Sequence, residues 1–254
     1  MGDLVWLSIL EEDSGIGVIE KIEKRKTVLM RPKVANVTQA LIVFSYKEPN
    51  LHLDLLDRFI TQSEAACIDS VIAFNKIDLV NDKEKEKAKN IREIYEKAGY
   101  KVIGLSAYEN IGIDELRPVL DGAVTVFAGP SGAGKSSIFN RVCNEELMEI
   151  GELSQKIRRG KHTTRHSQLV KLGEGSYVVD SPGFSSLSLD GIAAAGLKGL
   201  FRELKEPGTD CRFADCNHID EPGCMVKQGV LDGLISEERY ERYLSFYREL
   251  KERS

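Results

Sequence analysis

Residues 129–136 read Gly129-Pro130-Ser131-Gly132-Ala133-Gly134-Lys135-Ser136, a complete G-x-x-x-x-G-K-[ST] phosphate loop. Its glycines allow backbone N–H groups to turn inward around a chain of phosphates. An apolar run precedes the loop, and a helix is expected after it. The helix N-terminus adds the positive end of its dipole. The Lys135 ammonium should reach the β- and γ-phosphates, and the Ser136 hydroxyl should ligate the Mg²⁺ that accompanies them.

A second group of residues reads a base. Asn75-Lys76-Ile77-Asp78 follows directly on an apolar run ending at Phe74. A carboxylate at Asp78 can accept two hydrogen bonds, from the N1–H and the exocyclic amine of guanine. Adenine offers no such pair of donors on that edge, so Asp78 should set base choice, and charge-assisted bidentate bonds are strong. Asn75 should hold the loop and the base, and Lys76 should lay its stem along the base face. The N-K-x-D pattern is weak alone; after a buried strand, in a chain with a full phosphate loop, it is specific. Ser106-Ala107, after the next apolar run, matches a loop whose backbone donates to guanine O6.

Two further segments have the form of nucleotide switches. Asp180-Ser181-Pro182-Gly183 follows an apolar run ending at Val179 and gives the D-x-x-G pattern. Asp180 should hold the Mg²⁺ hydration shell, and the Gly183 N–H should sense the γ-phosphate. Gly160-Lys161-His162-Thr163-Thr164-Arg165 lies between loop and switch. One of its threonines, Thr164 in preference to Thr163, should complete the Mg²⁺ sphere. The stretch from Ser154 to Lys171 carries six Lys or Arg and no acid, which suits contact with RNA phosphate or with the nucleotide itself. The position after D-x-x-G, where many such enzymes place a water-orienting glutamine, is Phe184. Slow intrinsic hydrolysis is therefore expected. His162 is a candidate to position the water, and a packing or phosphate-facing role fits it equally. Lys135, Thr164 and His162 are the candidate catalytic residues.

Cys211, Cys216, His218 and Cys224 lie within 14 residues. Three thiolates and one imidazole form a closed tetrahedral Zn²⁺ set of the structural kind, with no open position for catalysis. The other two of the five cysteines, Cys67 and Cys143, lie near apolar residues and read as core cysteines.

The elements that must bring these residues together follow from hydrophobic patterning. From residue 38 to about 200 apolar strands alternate with helices, the mark of a parallel sheet with helical crossovers. Expected strands are Ala40 to Phe44, Ser70 to Phe74, Lys101 to Leu105, Val124 to Ala128 and Tyr177 to Asp180. Asp82 to Gly99 reads as an exposed helix with Ala88, Ile91, Tyr95 and Ala98 on its apolar side and Gly99 as its C-terminal cap. Ahead of the sheet, Leu4 to Leu10 and Gly15 to Ile19 read as short strands. After it, a helix is expected over Ile192 to Leu204, and a last one from about Ser236 with a stripe of Tyr240, Tyr243, Leu244, Tyr247 and Leu250. The balance of 30% charged and 42% hydrophobic residues is that of an ordinary soluble chain, and a net charge of −5 excludes a uniformly basic nucleic-acid binder. No signal peptide or membrane-length apolar run is visible, so a cytoplasmic monomer without membrane contact is the expectation.

The order of the motifs is informative. Base-reading motif, Ser-Ala loop, phosphate loop, threonine switch and D-x-x-G run in that sequence, whereas common GTPases begin with the phosphate loop. The parts are complete but circularly permuted, a rearrangement tolerated when termini lie close together at the surface. With this order the chain resembles the circularly permuted GTPase family that depends on the small ribosomal subunit, of the RsgA/YjeQ type. The resemblance rests on Arg31-Pro32, Leu56-Asp57-Arg58-Phe59, Asn75 to Asp78, Gly129 to Ser137, Gly160 to Thr164, Asp180 to Gly183, and Cys211, Cys216, His218 and Glu221-Pro222-Gly223-Cys224.

It implies an α/β fold in three parts: an OB-like segment over 1–37, a permuted GTPase domain over 38–190 and a zinc-binding helical domain over 191–254. A five-stranded barrel needs more residues than precede Val37, and Gly2-Asp3-Leu4-Val5 resembles the middle of that domain, so only its later half is expected. The implied activity is GTP hydrolysis stimulated by the small subunit, with GTP/GDP, Mg²⁺ and one Zn²⁺ as ligands. The implied partners are the subunit, its rRNA and assembly factors that are released on hydrolysis. Two readings stay open beside it: a GTP-dependent RNA-binding scaffold with negligible turnover, and a permuted GTPase serving the large subunit.

Overall fold

The computed structural model describes residues 1–11, 16–30, 33–150, 168–184 and 189–253. The N-terminal segment makes two separate antiparallel ladders: β1 (Val5–Glu11) with β2 (Ile16–Ile22), then β3 (Val28–Met30) with β4 (Lys33–Ala35). Among the described residues it closes no barrel. Trp6, Leu7, Ile9 and Leu10 of β1 are exposed, whereas Leu29, Val34 and Val37 are buried in the same core as the sheet that follows.

That sheet is built from β5 (Gln39–Ser45), β6 (Asp69–Asn75), β7 (Lys101–Gly104), β8 (Val124–Ala128), β9 (Gln168–Gly173) and β10 (Ser176–Phe184), in the spatial order β7-β6-β5-β8-β10-β9. All neighbours are parallel except β9, which pairs antiparallel with β10 at the edge. Strands buried on both faces need continuous apolar runs, and β5 and β6 supply them. Ile42, Phe44, Ile72 and Phe74 face a core closed by α1 (Leu53–Ala65) and α2 (Asp82–Lys97) through Leu56, Phe59, Ile91 and Tyr95. Leu41, Val43, Val71 and Ala73 face a second core closed by α3 (Ile113–Leu120) and α4 (Lys135–Ile150) through Leu116, Leu120, Ile138 and Val142. The register Gln39↔Asp69 through Ser45↔Asn75 brings the C-terminal ends of β5 and β6 level, so the loops that follow them open on one edge.

The expected helix over Ile192 to Leu204 is interrupted. A 3₁₀ segment spans Ala194–Leu200, Phe201 is extended, and α5 runs Arg202–Thr209. Gly196 and Gly199 weaken the first half, and burial of Phe201 favours the break. Then come α6 (Met225–Leu231) and α7 (Glu237–Glu252), capped by the Ser236 hydroxyl, which accepts from the Arg239 N–H at 3.4 Å. The expected stripe on α7 turns inward, joined by Phe246, onto Leu197, Phe201, Leu204 and Val226. One further expectation needs correction. Cys67 is exposed, not a core residue; it sits at φ +55° just past the end of α1, whereas Cys143 is buried. Gln168 to Lys171, the end of the basic segment, lies in β9, which pairs antiparallel with β10.

The C-terminal helices dock on the α1 side of the sheet through buried charge. Asp57 of α1 is bonded by Arg239 and Arg242 of α7, and Arg239 also bonds Glu203 of α5. The Arg239 guanidinium lies over the rings of Tyr95, Tyr100 and Phe201 at 5.0–5.5 Å. Around this centre Arg58 holds Glu249 at 2.6 Å, and Arg202 holds Glu64 and Asp69, each at 2.6 Å.

Candidate functional site

The phosphate loop leaves β8 at Ala128 and returns into α4 at Lys135. Two positions can only be glycine. Gly129, at φ +127°, passes so close to β5 that a Cβ would lie 2.1 Å from the Val43 carbonyl oxygen. Gly134, at φ +94°, would place a Cβ 2.1 Å from Asn75 Nδ2. The Lys135 ammonium donates to the carbonyls of Gly129 at 2.8 Å and Pro130 at 2.7 Å, folded back along the loop. Burial lowers its pKa from the ordinary lysine value. Ser136 and Ser137 follow in the first turn of α4, and Ser131 and Gly132 form the exposed crest.

Asn75 ends β6 with 1% exposure and is the hub of the site. Its Nδ2 donates to the Ala133 carbonyl at 2.8 Å, and its Oδ1 accepts from the Ala107 N–H at 3.1 Å. One buried amide thus joins three segments that are 58 and 32 residues distant in the chain. Lys76 follows in the left-handed region at φ +61° and donates from Nζ to the Glu48 carbonyl. Ile77–Leu79 makes one 3₁₀ turn that leaves Asp78 exposed, lining an open cavity of about 470 Å³ with Tyr46, Ile77, Gly104 and Ile111.

Ser106 is fully buried and closes its loop on itself. It exchanges backbone bonds with Ile111 at 2.9 and 3.0 Å, and its hydroxyl accepts from the Glu109 N–H at 3.1 Å. One residue in this site carried no signal in sequence. Arg141 of α4 donates from Nε to the Ala107 carbonyl at 3.1 Å and from Nη2 to the Tyr108 carbonyl at 3.3 Å. Its only hint is its place six residues after Lys135, on the helix that the phosphate loop starts.

His162, Thr163 and Thr164 lie outside the described residues. Asp180 and Gly183 belong to β10 and are described as backbone. Val179 pairs with Val126 and Phe184 with Ala128, so the D-x-x-G segment runs beside the strand that feeds the phosphate loop.

In the C-terminal segment, the ligand atoms of Cys211, Cys216, His218 and Cys224 all lie within 4.8 Å of one another. Cys211 Sγ is 3.9 Å from Cys224 Sγ, and His218 Nδ1 is 3.6 and 3.4 Å from those two sulfurs. A tetrahedral zinc with Zn–S of about 2.3 Å sets sulfurs about 3.8 Å apart, so the donor set fits. The Met225 N–H donates to Cys211 Sγ at 3.3 Å and the Lys227 N–H to Cys224 Sγ at 3.5 Å. The loop is fastened to α7: Tyr240 donates to the His218 carbonyl at 2.7 Å and Tyr243 to the Asn217 carbonyl at 2.6 Å.

Residues 22–190 match the family model described as RsgA GTPase. The chain is 45% identical over 251 residues to the small ribosomal subunit biogenesis GTPase RsgA of Alkaliphilus metalliredigens, covering 99% of this chain and 85% of that one. To the protein of the same name in Agathobacter rectalis it is 43% identical over 253 residues, covering 100% and 83%. Among solved structures it is similar to YjeQ from Thermotoga maritima, with a TM-score of 0.82 and 37% identity over 98% of this chain and 83% of that one. It is also similar to YloQ, a circularly permuted GTPase, with a TM-score of 0.85 and 34% identity over 100% and 81%.

Proposed function

The chain belongs to the RsgA GTPase family and is a GTP hydrolase, and from that premise we propose that it acts in late maturation of the small ribosomal subunit, turning over GTP slowly alone and faster on the subunit, whose rRNA it binds and from which hydrolysis releases assembly factors. The observation that carries the nucleotide reading is the Asn75 amide, which ties base-reading motif, Ser-Ala loop and phosphate loop into one rigid cradle despite their inverted order. The relatives named for small-subunit biogenesis carry the partner.

In this reading Asp78 grips guanine N1–H and its exocyclic amine, Lys76 lies along the base, and the Ser106-Ala107 loop faces O6. Lys135 exchanges its two carbonyl partners for the β- and γ-phosphates, cradled by the backbone from Gly129 to Ser137. Ser136, Thr164 and Asp180 hold Mg²⁺, which neutralises charge shared by the β- and γ-phosphates when bound. Gly183 senses the γ-phosphate. Phe184 offers no group to orient water, so His162 takes that task. Cys211, Cys216, His218 and Cys224 hold a structural Zn²⁺ that shapes the C-terminal part, residues 191–254. The protein works as a cytoplasmic monomer. Turnover measured with added small subunits, large subunits and whole ribosomes tests the proposal. Stimulation confined to small subunits is expected; equal stimulation by large subunits, or none at all, refutes the assigned partner.

A further inference from the structure

We infer that Arg141 is a positioning residue for guanine specificity, acting through the loop that faces the base oxygen. The inference rests on the reading of Asn75 to Asp78 and Ser106-Ala107 as the base site. Arg141 projects from α4, about 9 Å along the helix from Lys135, and bonds two successive carbonyls, Ala107 at 3.1 Å and Tyr108 at 3.3 Å. A trans peptide is planar, with its N–H opposed to its C=O. Holding the Ala107 carbonyl toward α4 therefore turns the Tyr108 N–H to the opposite side. The Ala107 N–H is already spent on Asn75 Oδ1 and the Glu109 N–H on the Ser106 hydroxyl. The Ala107–Tyr108 peptide belongs to the loop that faces the base oxygen, and Arg141 fixes the direction of its N–H.

Tyr108 itself is 83% exposed, and the guanidinium is what holds the two successive carbonyls of this turn. A fork-shaped cation suits the task because its donors are rigidly spaced; a lysine would reach one carbonyl as a point charge. The two ties divide the labour. Asn75 fixes how far the base loop stands from the phosphate loop, and Arg141 fixes which way its peptide faces.

The test compares the effect of each variant on Kd for GDP and for the diphosphate of 2-aminopurine riboside, which keeps the exocyclic amine but lacks O6 and, with it, the N1–H that Asp78 grips. In Arg141→Ala, GDP affinity is expected to fall about tenfold, the loss of roughly one net hydrogen bond to a fixed donor. The 2-aminopurine nucleotide should fall much less, so the ratio between the two narrows. Arg141→Lys should lie between. Equal losses for both nucleotides, or no loss for either, overturn the inference, because a merely structural role would not distinguish them. An Asp78→Asn variant separates this failure from failure of the site itself: it should lose guanine preference and gain xanthine preference with Arg141 intact. Unchanged guanine preference there removes the ground for the base site and for the inference with it.

Discussion

Replacing Arg239 by Met should loosen the attachment of the C-terminal helices more than any surface substitution can. Arg239 has 1% side-chain exposure and Asp57 0%, while Glu203 has 7%. Methionine keeps most of the stem's volume against Tyr95, Tyr100 and Phe201 but removes the guanidinium that lies over all three rings. Asp57 retains Arg242, so Glu203 is the carboxylate left without its cation. Breaking a buried pair costs about 3–5 kcal/mol. The lower end applies here, because Glu203 is at the margin of the cluster and Asp57 is still compensated. A loss of about 3 kcal/mol in a chain of this size lowers Tm by about 6–12 °C. Circular dichroism is the suitable probe, since the single tryptophan, Trp6, lies exposed in the N-terminal hairpin and does not report on this joint. Limited proteolysis should at the same time show cleavage after residue 189 before the sheet is attacked. Adding Glu203→Gln to Arg239→Met should recover part of the loss, because it removes the stranded charge. A change below about 1 kcal/mol, the range of exposed ion pairs, would refute the account of this cluster as a buried joint.

The zinc site predicts that a strong chelator releases one Zn²⁺ per chain and lowers the melting temperature, with amide exchange rising first in the loop held by Tyr240 and Tyr243; an unchanged melt and no released metal would exclude a structural ion. Lys135 predicts a proton linkage: burial depresses its pKa in the free protein, whereas phosphate favours the ammonium. Nucleotide affinity should therefore decline as pH rises through the lowered value, and free-protein stability should rise over the same window because the unfolded chain binds the extra proton there. Calorimetry in two buffers of different ionisation enthalpy should register proton uptake at alkaline pH in the wild type and none in Lys135→Arg, which does not titrate; equal uptake in both proteins would assign it elsewhere.

How much of this was legible in the chain depended on whether the chemistry was contiguous. Gly129 to Ser136 and Asn75 to Asp78 announce themselves because each loop's function resides in consecutive residues, and each follows an apolar run that can only be a buried strand. The same holds for the cluster from Cys211 to Cys224, where three thiols and an imidazole crowd one loop. Arg141 was invisible for the opposite reason. Its partners, Ala107 and Tyr108, are 34 and 33 residues away and offer backbone carbonyls, which every residue has. One arginine among 35 lysines and arginines carries no mark of that use. Asp57 and Arg239, 182 residues apart, were hidden likewise. The break at Phe201 was missed because apolar spacing continued across it; the backbone bends there to bury the ring beside Tyr243 at 5.3 Å. Cys67 misled because apolar neighbours in sequence do not ensure burial once the helix before it has ended.

The sheet order gives these separate attachments a common sense. β5 stands between β6, which carries the base-reading motif, and β8, which carries the phosphate loop. Base and phosphate elements therefore share no direct strand pairing; they are joined through β5 and through side chains that cross its end. Asn75 crosses from β6 to the Ala133 carbonyl and Arg141 from α4 to the Ala107 carbonyl, and Asn75 holds the Ala107 N–H as well. The C-terminal helices extend this rigidity away from the nucleotide. They are fastened to Asp57, Glu64 and Asp69 on the β5–β6 side, while the chain enters them from β10, on the far side of β8. The permuted order is what permits this. A D-x-x-G strand that ended inside the sheet's own succession would lead into another crossover. Here it is the last strand, and the chain beyond it is free to return across the molecule and clamp the half that reads the base.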